Sequence, residues 1–335
     1  MRRWFDLDGV PGGSGTSVAT FGIFDGVHLG HQRVLNRVVE LARQRGSQGV
    51  AITFDPHPSV IHGPQPPVEL IVPLDGRLDL MEQAGLDAVL TVPYTPEFSQ
   101  TDPETFVRRY LVEALGASDV IVGKDVRFGR GNTGDLAMLS ELGERFGFAT
   151  EGVPDLPIPA DAIGPDQDAS GPDRVSSTCV RKALQAGDVA AAAVLLGRPH
   201  RLVGRVVHGA GRGRTLGFPT ANLGPNISGL VPADGVYAGW MTRLDSPAGE
   251  PDAVLGAAVS IGSNPTFAGL SGPGGRVEAH AFGTGDLDLY GHQIALDLVV
   301  RLRSARTFPD AAALIRQIGA DIRGTHTALG LRWSQ

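Results

Sequence analysis

The sequence predicts two domains of different class: an N-terminal α/β domain on a parallel sheet, and a C-terminal small antiparallel β-barrel with a terminal helix. Three observations carry this. The chain has 335 residues, too many for one ordinary core. Its first half alternates strand and helix patterns at the spacing of crossover units. After Leu195-Leu196-Gly197-Arg198-Pro199 the texture changes to short β-branched runs between Gly- and Pro-rich turns, an all-β pattern. These signals divide the chain into 1–186, a linker helix at 187–197, and 198–335.

In the first half, strands are expected near 17–24, 49–54, 87–92, 118–123 and 148–153, with helices near 31–45, 74–84, 102–115 and 134–146. The first of these helices puts Val34, Leu35, Val38, Leu41 and Ala42 on one face and stops at Gly46. Residues 154–173, rich in Pro, Asp and Gly without periodicity, predict a long loop. One helix is expected over 178–195. Beyond it, strands are expected at 202–207, 235–243, 253–261, 276–282 and 293–303, and a last helix from Pro309 to Leu329.

Composition narrows the function. Hydrophobic content of 42% supports globular packing, and no run of about 18 apolar residues is present to span a membrane. A formal charge of −7 argues against broad nucleic-acid binding, though not against a small anionic ligand held by local arginines. Met1-Arg2-Arg3-Trp4-Phe5-Asp6 turns acidic before an apolar signal segment develops. The single cysteine, Cys179, excludes an intramolecular disulfide and fits a reducing cytoplasm.

Several clusters carry chemistry. His28-Leu29-Gly30-His31 lies between the first strand and its helix, where free N–H groups and a positive dipole end suit phosphate. Asp55-Pro56-His57-Pro58 follows the second strand and so shares that sheet edge. Chance produces an H-x-G-H roughly 0.03 times in a chain of this composition. Arg174-Val175-Ser176-Ser177-Thr178, with Arg181 and Lys182 one turn on, places hydroxyls and cations at a helix start that can cap a helix or grip a triphosphate.

Gly129-Arg130-Gly131-Asn132-Thr133-Gly134 matches a dinucleotide fingerprint, but roughly 0.9 such matches arise by chance here. Lys124-Asp125-Val126-Arg127-Phe128 also separates it from the strand, so it reads as a loop beside the nucleotide, with Asp125 and Arg127 as its polar groups. In the second half, Gly209 to Asn222 is glycine-dense, yet no phosphate-loop lysine motif occurs in the chain. Thr220 and Asn222, two apart on an extended segment, turn their side-chain oxygens one way, as a hard Mg²⁺ ion requires. Glu278 stands opposite in direction to Val277 and Ala279. On the inward face of a barrel it would need a functional reason; on the outward face it would simply be solvated.

Thr20 to Gln32, Thr53 to Pro58 and Val175 through Arg181 closely resemble the adenylyltransferase half of prokaryotic FAD synthetases. Gly217-Phe218-Pro219-Thr220-Ala221-Asn222, Gly235 to Ala238, Asn264-Pro265-Thr266-Phe267, Val277-Glu278 and Leu289-Tyr290-Gly291 are similar to their riboflavin kinase half. The resemblance runs from about residue 16 to 325, in the family's order. It implies a Rossmann-like nucleotidyltransferase domain, and a barrel that phosphorylates riboflavin with ATP and Mg²⁺. The FMN formed is then adenylylated to FAD with release of pyrophosphate.

It further implies Gly22, Phe24, Asp25, His28, Gly30, His31, Arg174, Ser177, Thr178 and Arg181 as phosphate or ATP positions of the first half. Gly211, Gly217, Thr220 and Asn222 are those of the second, with Thr220 and Asn222 toward the metal and Glu278 as base. Asp55, Pro56, Asp125, Arg127 and Phe128 are flavin candidates; Asp125 stands where many members carry Asn. Phe24, Phe54, Phe128 and Phe267 can serve either the flavin ring or the core. From the residues alone, the first half also fits a nucleotidyltransferase with another acceptor, and the whole fits a flavin sensor.

Overall fold

The computed structural model describes residues 1–11, 15–63, 66–159, 174–209, 217–245, 254–262, 276–282 and 289–331. The chain divides into two compact units. Among the described residues, the first holds those from Met1 to Ile158 with 174–177, and the second holds Pro159 and those from Thr178 onward.

The first unit is a six-stranded sheet of order β1-β4-β3-β2-β5-β6. Its strands are β1 (Arg2–Phe5), β2 (Ser17–Phe21), β3 (Gln48–Asp55), β4 (Ala88–Pro93), β5 (Ala117–Gly123) and β6 (Ala149–Val153). All five strand pairs are parallel. Because β2 lies between β3 and β5, the order reverses direction there, and the crevice above that point is where such sheets hold ligands.

Burial on both faces explains the near-continuous apolar strands. Alternate residues of β2 and β3 go to opposite cores. Ala19, Phe21, Val50 and Ile52 pack with Phe106, Leu111 and Leu139. Val18 and Ala51 pack with Val34, Leu35 and Val38 of α1 (Leu29–Arg45) and with Leu78 and Met81. Each fully buried Leu or Ile here contributes about 1.5–3 kcal/mol. The remaining helices are α2 (Ser59–His62), α3 (Leu74–Gln83), α4 (Pro103–Phe106) and α5 (Leu136–Phe146). Val107–Ala114 continues α4 as a π-helical stretch.

The second unit opens with α6 (Ser177–Ala186, from Thr178 onward) and α7 (Val189–Leu196). The single helix expected over 178–195 is therefore two. Gly187 breaks it, and Asp188 caps the second by accepting from the Ala191 N–H at 2.9 Å. A closed antiparallel barrel follows, in the order β10-β11-β8-β7-β12-β9. Its strands are β7 (His200–Val207), β8 (Ala221–Leu223), β9 (Gly235–Arg243), β10 (Val254–Gly262), β11 (Arg276–Ala281) and β12 (Gln293–Ser304). Leu202, Tyr237, Val259, Val277, Ala279, Leu296 and Leu298 fill the interior. The terminal helix α8 (Ala311–Ala328) is tied to β12 by Arg303, whose Nε and Nη2 donate to the Asp321 carboxylate at 2.9 and 2.7 Å.

Candidate active sites

The first site forms where β2 ends. The strand stops at Phe21, short of the expected residue 24, because Phe24 (φ 54°), Gly26 (φ 81°) and Val27 (φ 41°) turn the chain sharply. Positive φ at two residues with side chains is strain that persists only when surrounding contacts impose it. Those contacts are present. The Asp25 carboxylate is buried and accepts from the N–H groups of Ile71 and Val72 at 3.2 and 3.1 Å. The Asp25 carbonyl accepts from Ser177 Oγ at 2.9 Å. The Ile23 carbonyl accepts from Thr53 Oγ1 at 3.1 Å and from Arg77 at 2.5 Å.

This turn delivers His28 as the N-cap of α1. Its Nδ1 accepts from the His31 N–H at 3.3 Å, so the neutral ring carries its proton on Nε2. The two imidazoles stack with centroids 3.6 Å apart. Burial, then the neighbouring His28 and Arg77, hold the His31 pKa well below the ordinary histidine value. His31 Nδ1 is buried with no hydrogen-bond partner among the described residues. Gly30 is required by close approach: a Cβ there would lie 3.2 Å from the His28 ring and 3.5 Å from the Val175 carbonyl. Val175 thus passes directly over the start of α1, bringing Ser177 with it. Gly22 follows β2, its N–H donating to the Ile52 carbonyl at 3.0 Å. Thr178 and Arg181 follow Ser177 on α6.

Other expected residues take distinct places. Arg174 pairs with Asp155 at 2.9 Å and with Asp125. A phosphate contact and a flavin contact of the sequence reading are therefore each other's partners. Asp55, at the end of β3, stands 3.8 Å from Arg77, and Pro56 follows through a cis peptide bond. Arg127 is exposed. Phe128 is buried against Phe21 and Phe106, at 5.3 and 6.0 Å between centroids. Phe24 is buried too, edge-on to His31 at 5.3 Å. Phe54 is half-buried beside Tyr94 and Phe98. The glycine run at 129–134 is closed into a small hairpin by reciprocal Phe128–Gly134 backbone bonds of 3.1 and 2.9 Å. It is no strand-to-helix turn.

The second site lies on the barrel. Asn222 of β8 and Glu278 of β11 are direct cross-strand partners. Val277 and Ala279 point into the barrel, so Glu278 lies on the outer face, beside Asn222 and Ser260. The inward placement considered from sequence does not occur; the outward Glu is half-buried and sits with other polar groups. Asn222 Nδ2 reaches the Thr220 carbonyl at 3.3 Å and its Oγ1 at 3.5 Å, so the two side chains do share a side. Gly209 crosses so near that a Cβ there would be 2.6 Å from the Asn222 amide. Gly217 begins this segment with φ 83°. Gly211, Asn264 to Phe267 and the loop over 160–173 lie outside the described residues.

One position escaped the sequence reading. Arg77 is buried at 1% exposure on the apolar face of α3, between Leu74, Leu78 and Met81. An arginine at that helical spacing was the available signal. His280 shares the Glu278 face, and its Nδ1 lies 2.7 Å from the Pro219 carbonyl, next to Thr220.

Comparison with known proteins decides the family. The FAD synthetase family model matches residues 13–165 and the riboflavin kinase model residues 196–329. A bifunctional riboflavin kinase/FMN adenylyltransferase of Bacillus subtilis is 33% identical over 306 residues, covering 91% of this chain and 90% of that protein. This chain belongs to the bifunctional riboflavin kinase/FMN adenylyltransferase family. A protein of the same name from Escherichia coli is 34% identical over 304 residues, covering 91% and 90%.

A solved Streptococcus pneumoniae structure described as a macrolide-efflux protein matches with a TM-score of 0.82 at 27% identity, over 100% of both chains. Among the described residues of the present chain, no helix is long and apolar enough to cross a membrane. As a family member the chain is a bifunctional transferase. Its N-terminal FAD synthetase half adenylylates FMN to FAD, and its C-terminal riboflavin kinase half phosphorylates riboflavin to FMN.

Proposed function

We propose that the Glu278 cluster performs the kinase step and the His28–His31 turn the adenylyl transfer, in domains bounded near 186 and 198. In the kinase step, the riboflavin 5′-hydroxyl oxygen attacks the γ-phosphorus of ATP, its proton passes to Glu278, and ADP leaves. Thr220 and Asn222 offer neutral oxygens beside one carboxylate, a donor set that suits Mg²⁺ shared with nucleotide phosphates. Bound there, Mg²⁺ would neutralise charge on the transferring phosphoryl group. Gly217 belongs to the nucleotide side of this site; Gly211 is a nucleotide candidate by the family resemblance alone.

In the second step, an FMN phosphate oxygen attacks the α-phosphorus of another ATP; the α–β bond breaks and pyrophosphate leaves. No protein nucleophile takes part. His28, His31 and the N–H groups opening α1 stabilise the anionic phosphates, with Arg174 and Ser177 beside them; Thr178 and Arg181 are carried as further phosphate candidates by the family resemblance alone. Gly22, Phe24, Asp25 and Gly30 shape the turn; Asp55, Pro56, Asp125 and Arg127 line the flavin side, and Phe128 supports it from the core. The enzyme works in the cytoplasm on small molecules, with neither nucleic acid nor membrane as partner.

The observation that carries this reading is the presence of two separate polar clusters, one in each unit, each suited to one transfer. The test is incubation with riboflavin, ATP and Mg²⁺, followed by chromatographic separation of riboflavin, FMN and FAD. Both products are expected, and chelating the metal with EDTA should stop FMN formation. Unchanged flavin with folded protein and metal present would overturn the proposal.

A further inference from the structure

A buried cation lies directly under the first site, and neither reaction consumes it. Arg77 projects from α3 beneath the strand exits. One terminal nitrogen donates to the Ile23 carbonyl at 2.5 Å and the other to the Phe54 carbonyl at 3.2 Å. Ile23 is the last residue before the strained turn at Phe24, which leads to His28 and His31. Phe54 precedes Asp55-Pro56-His57-Pro58. One planar fork therefore ties together the two loops that leave β2 and β3 on the ligand edge of the sheet.

Packing alone gives no reason for an arginine there. Its Nε–H is buried with no partner among the described residues. Among the described residues the guanidinium makes one long ion pair, 3.8 Å to Asp55, while Asp25 adds longer-range attraction. A leucine or methionine of similar volume would bury apolar atoms in place of a poorly compensated charge. What an apolar residue cannot do is hold two carbonyls from different strands at one spacing.

We infer that Arg77 is a positioning residue for adenylyl transfer, fixing the His28–His31 turn against the Asp55–Pro58 loop so that phosphate and flavin acceptor meet in line. The inference rests on placing adenylyl transfer at the His28–His31 turn. Its positive charge also opposes protonation of His31, keeping that imidazole a neutral partner for the phosphates. Reacting groups displaced by about 1 Å lose on the order of 10²-fold in rate, and a loop freed at one anchor shifts by such amounts.

The test compares Arg77→Met, Arg77→Lys and His28→Ala in the full-length enzyme, measuring FMN→FAD and riboflavin→FMN separately. Arg77→Met should lower kcat for adenylylation about 100-fold. KM for ATP and FMN should change less than about threefold, and FMN formation should stay within about twofold. Arg77→Lys keeps the charge but lacks the fork, so it should lose about tenfold in the same kcat with an unchanged melting temperature. Adenylylation at the wild-type rate in either variant overturns the inference. So does a loss of both activities in Arg77→Met with full adenylylation in Arg77→Lys. Wild-type FAD formation by His28→Ala would overturn the site assignment itself.

Discussion

The two proposed sites face the same problem, holding a triphosphate beside a flavin, with opposite building methods. The proposed adenylyl site is a strained turn whose shape is imposed by contacts of Asp25, Thr53 and Arg77. The proposed kinase pair, Asn222 and Glu278, sits on regular β-structure and takes its relative placement chiefly from strand register. A site of the first kind depends on residues far from the chemistry. A site of the second kind depends on local pairing and tolerates change in its surroundings.

The largest effects should separate the sites outright. Glu278→Ala should abolish FMN formation, a loss of more than about 10³-fold, while supplied FMN is still converted to FAD. His28→Ala should let FMN accumulate, with adenylylation down on the order of 10²–10³. Either variant losing both steps while folded would break the division of labour. Next in size is a pH effect confined to the barrel. Burial holds the His200 pKa near 4, against an ordinary 6.5, while its Nε2 contacts the Leu230 carbonyl at 2.7 Å.

The native state therefore resists a proton that the unfolded chain accepts below about 6.5. The stabilisation is fully present above that pH and is lost as pH falls toward 4. Between pH 7.5 and 5 the barrel should lose about 2 kcal/mol, seen as a falling melting temperature. His200→Gln should flatten that slope; an equal slope in the variant would refute the assignment.

Smaller still, His280→Ala should lower the kinase kcat about tenfold by releasing Pro219 and the neighbouring Thr220, with adenylylation unchanged. An unaltered kinase rate would show that register suffices there without a strut. Smallest is Asp125→Asn. An exposed ion pair contributes about 0.2–1 kcal/mol, so freeing Arg174 from Asp125 should lower KM for ATP in adenylylation by no more than about fivefold. A raised KM would mean that Asp125 supports the bound state.

Legibility differed between the sites for physical reasons. The α/β alternation and the barrel strands followed apolar periodicity, which local sequence displays directly. β1 did not, since only Trp4 of its four residues is buried. β8 is three residues long after a glycine-dense run, too short to show a period. The His28–His31 turn and the Thr220–Asn222 spacing were visible because each lies within a few positions. The pairing of Arg174 with Asp125, and the fork of Arg77 on Ile23 and Phe54, join residues distant in sequence, where no local pattern operates. The apparent dinucleotide motif failed for the opposite reason: in a chain with 46 glycines, local matches come cheaply.

The Asn222–Glu278 register has a consequence for how this chain can vary. Side chains on a strand alternate faces, so a one-residue insertion or deletion within β11 would bring Val277 or Ala279 to the outer surface and turn the carboxylate inward. A two-residue slip would preserve the faces but set His280 opposite Asn222. On the proposed role of Glu278, kinase activity should therefore depend on β11 keeping this register, since an odd-numbered slip of the strand turns the carboxylate away from Asn222.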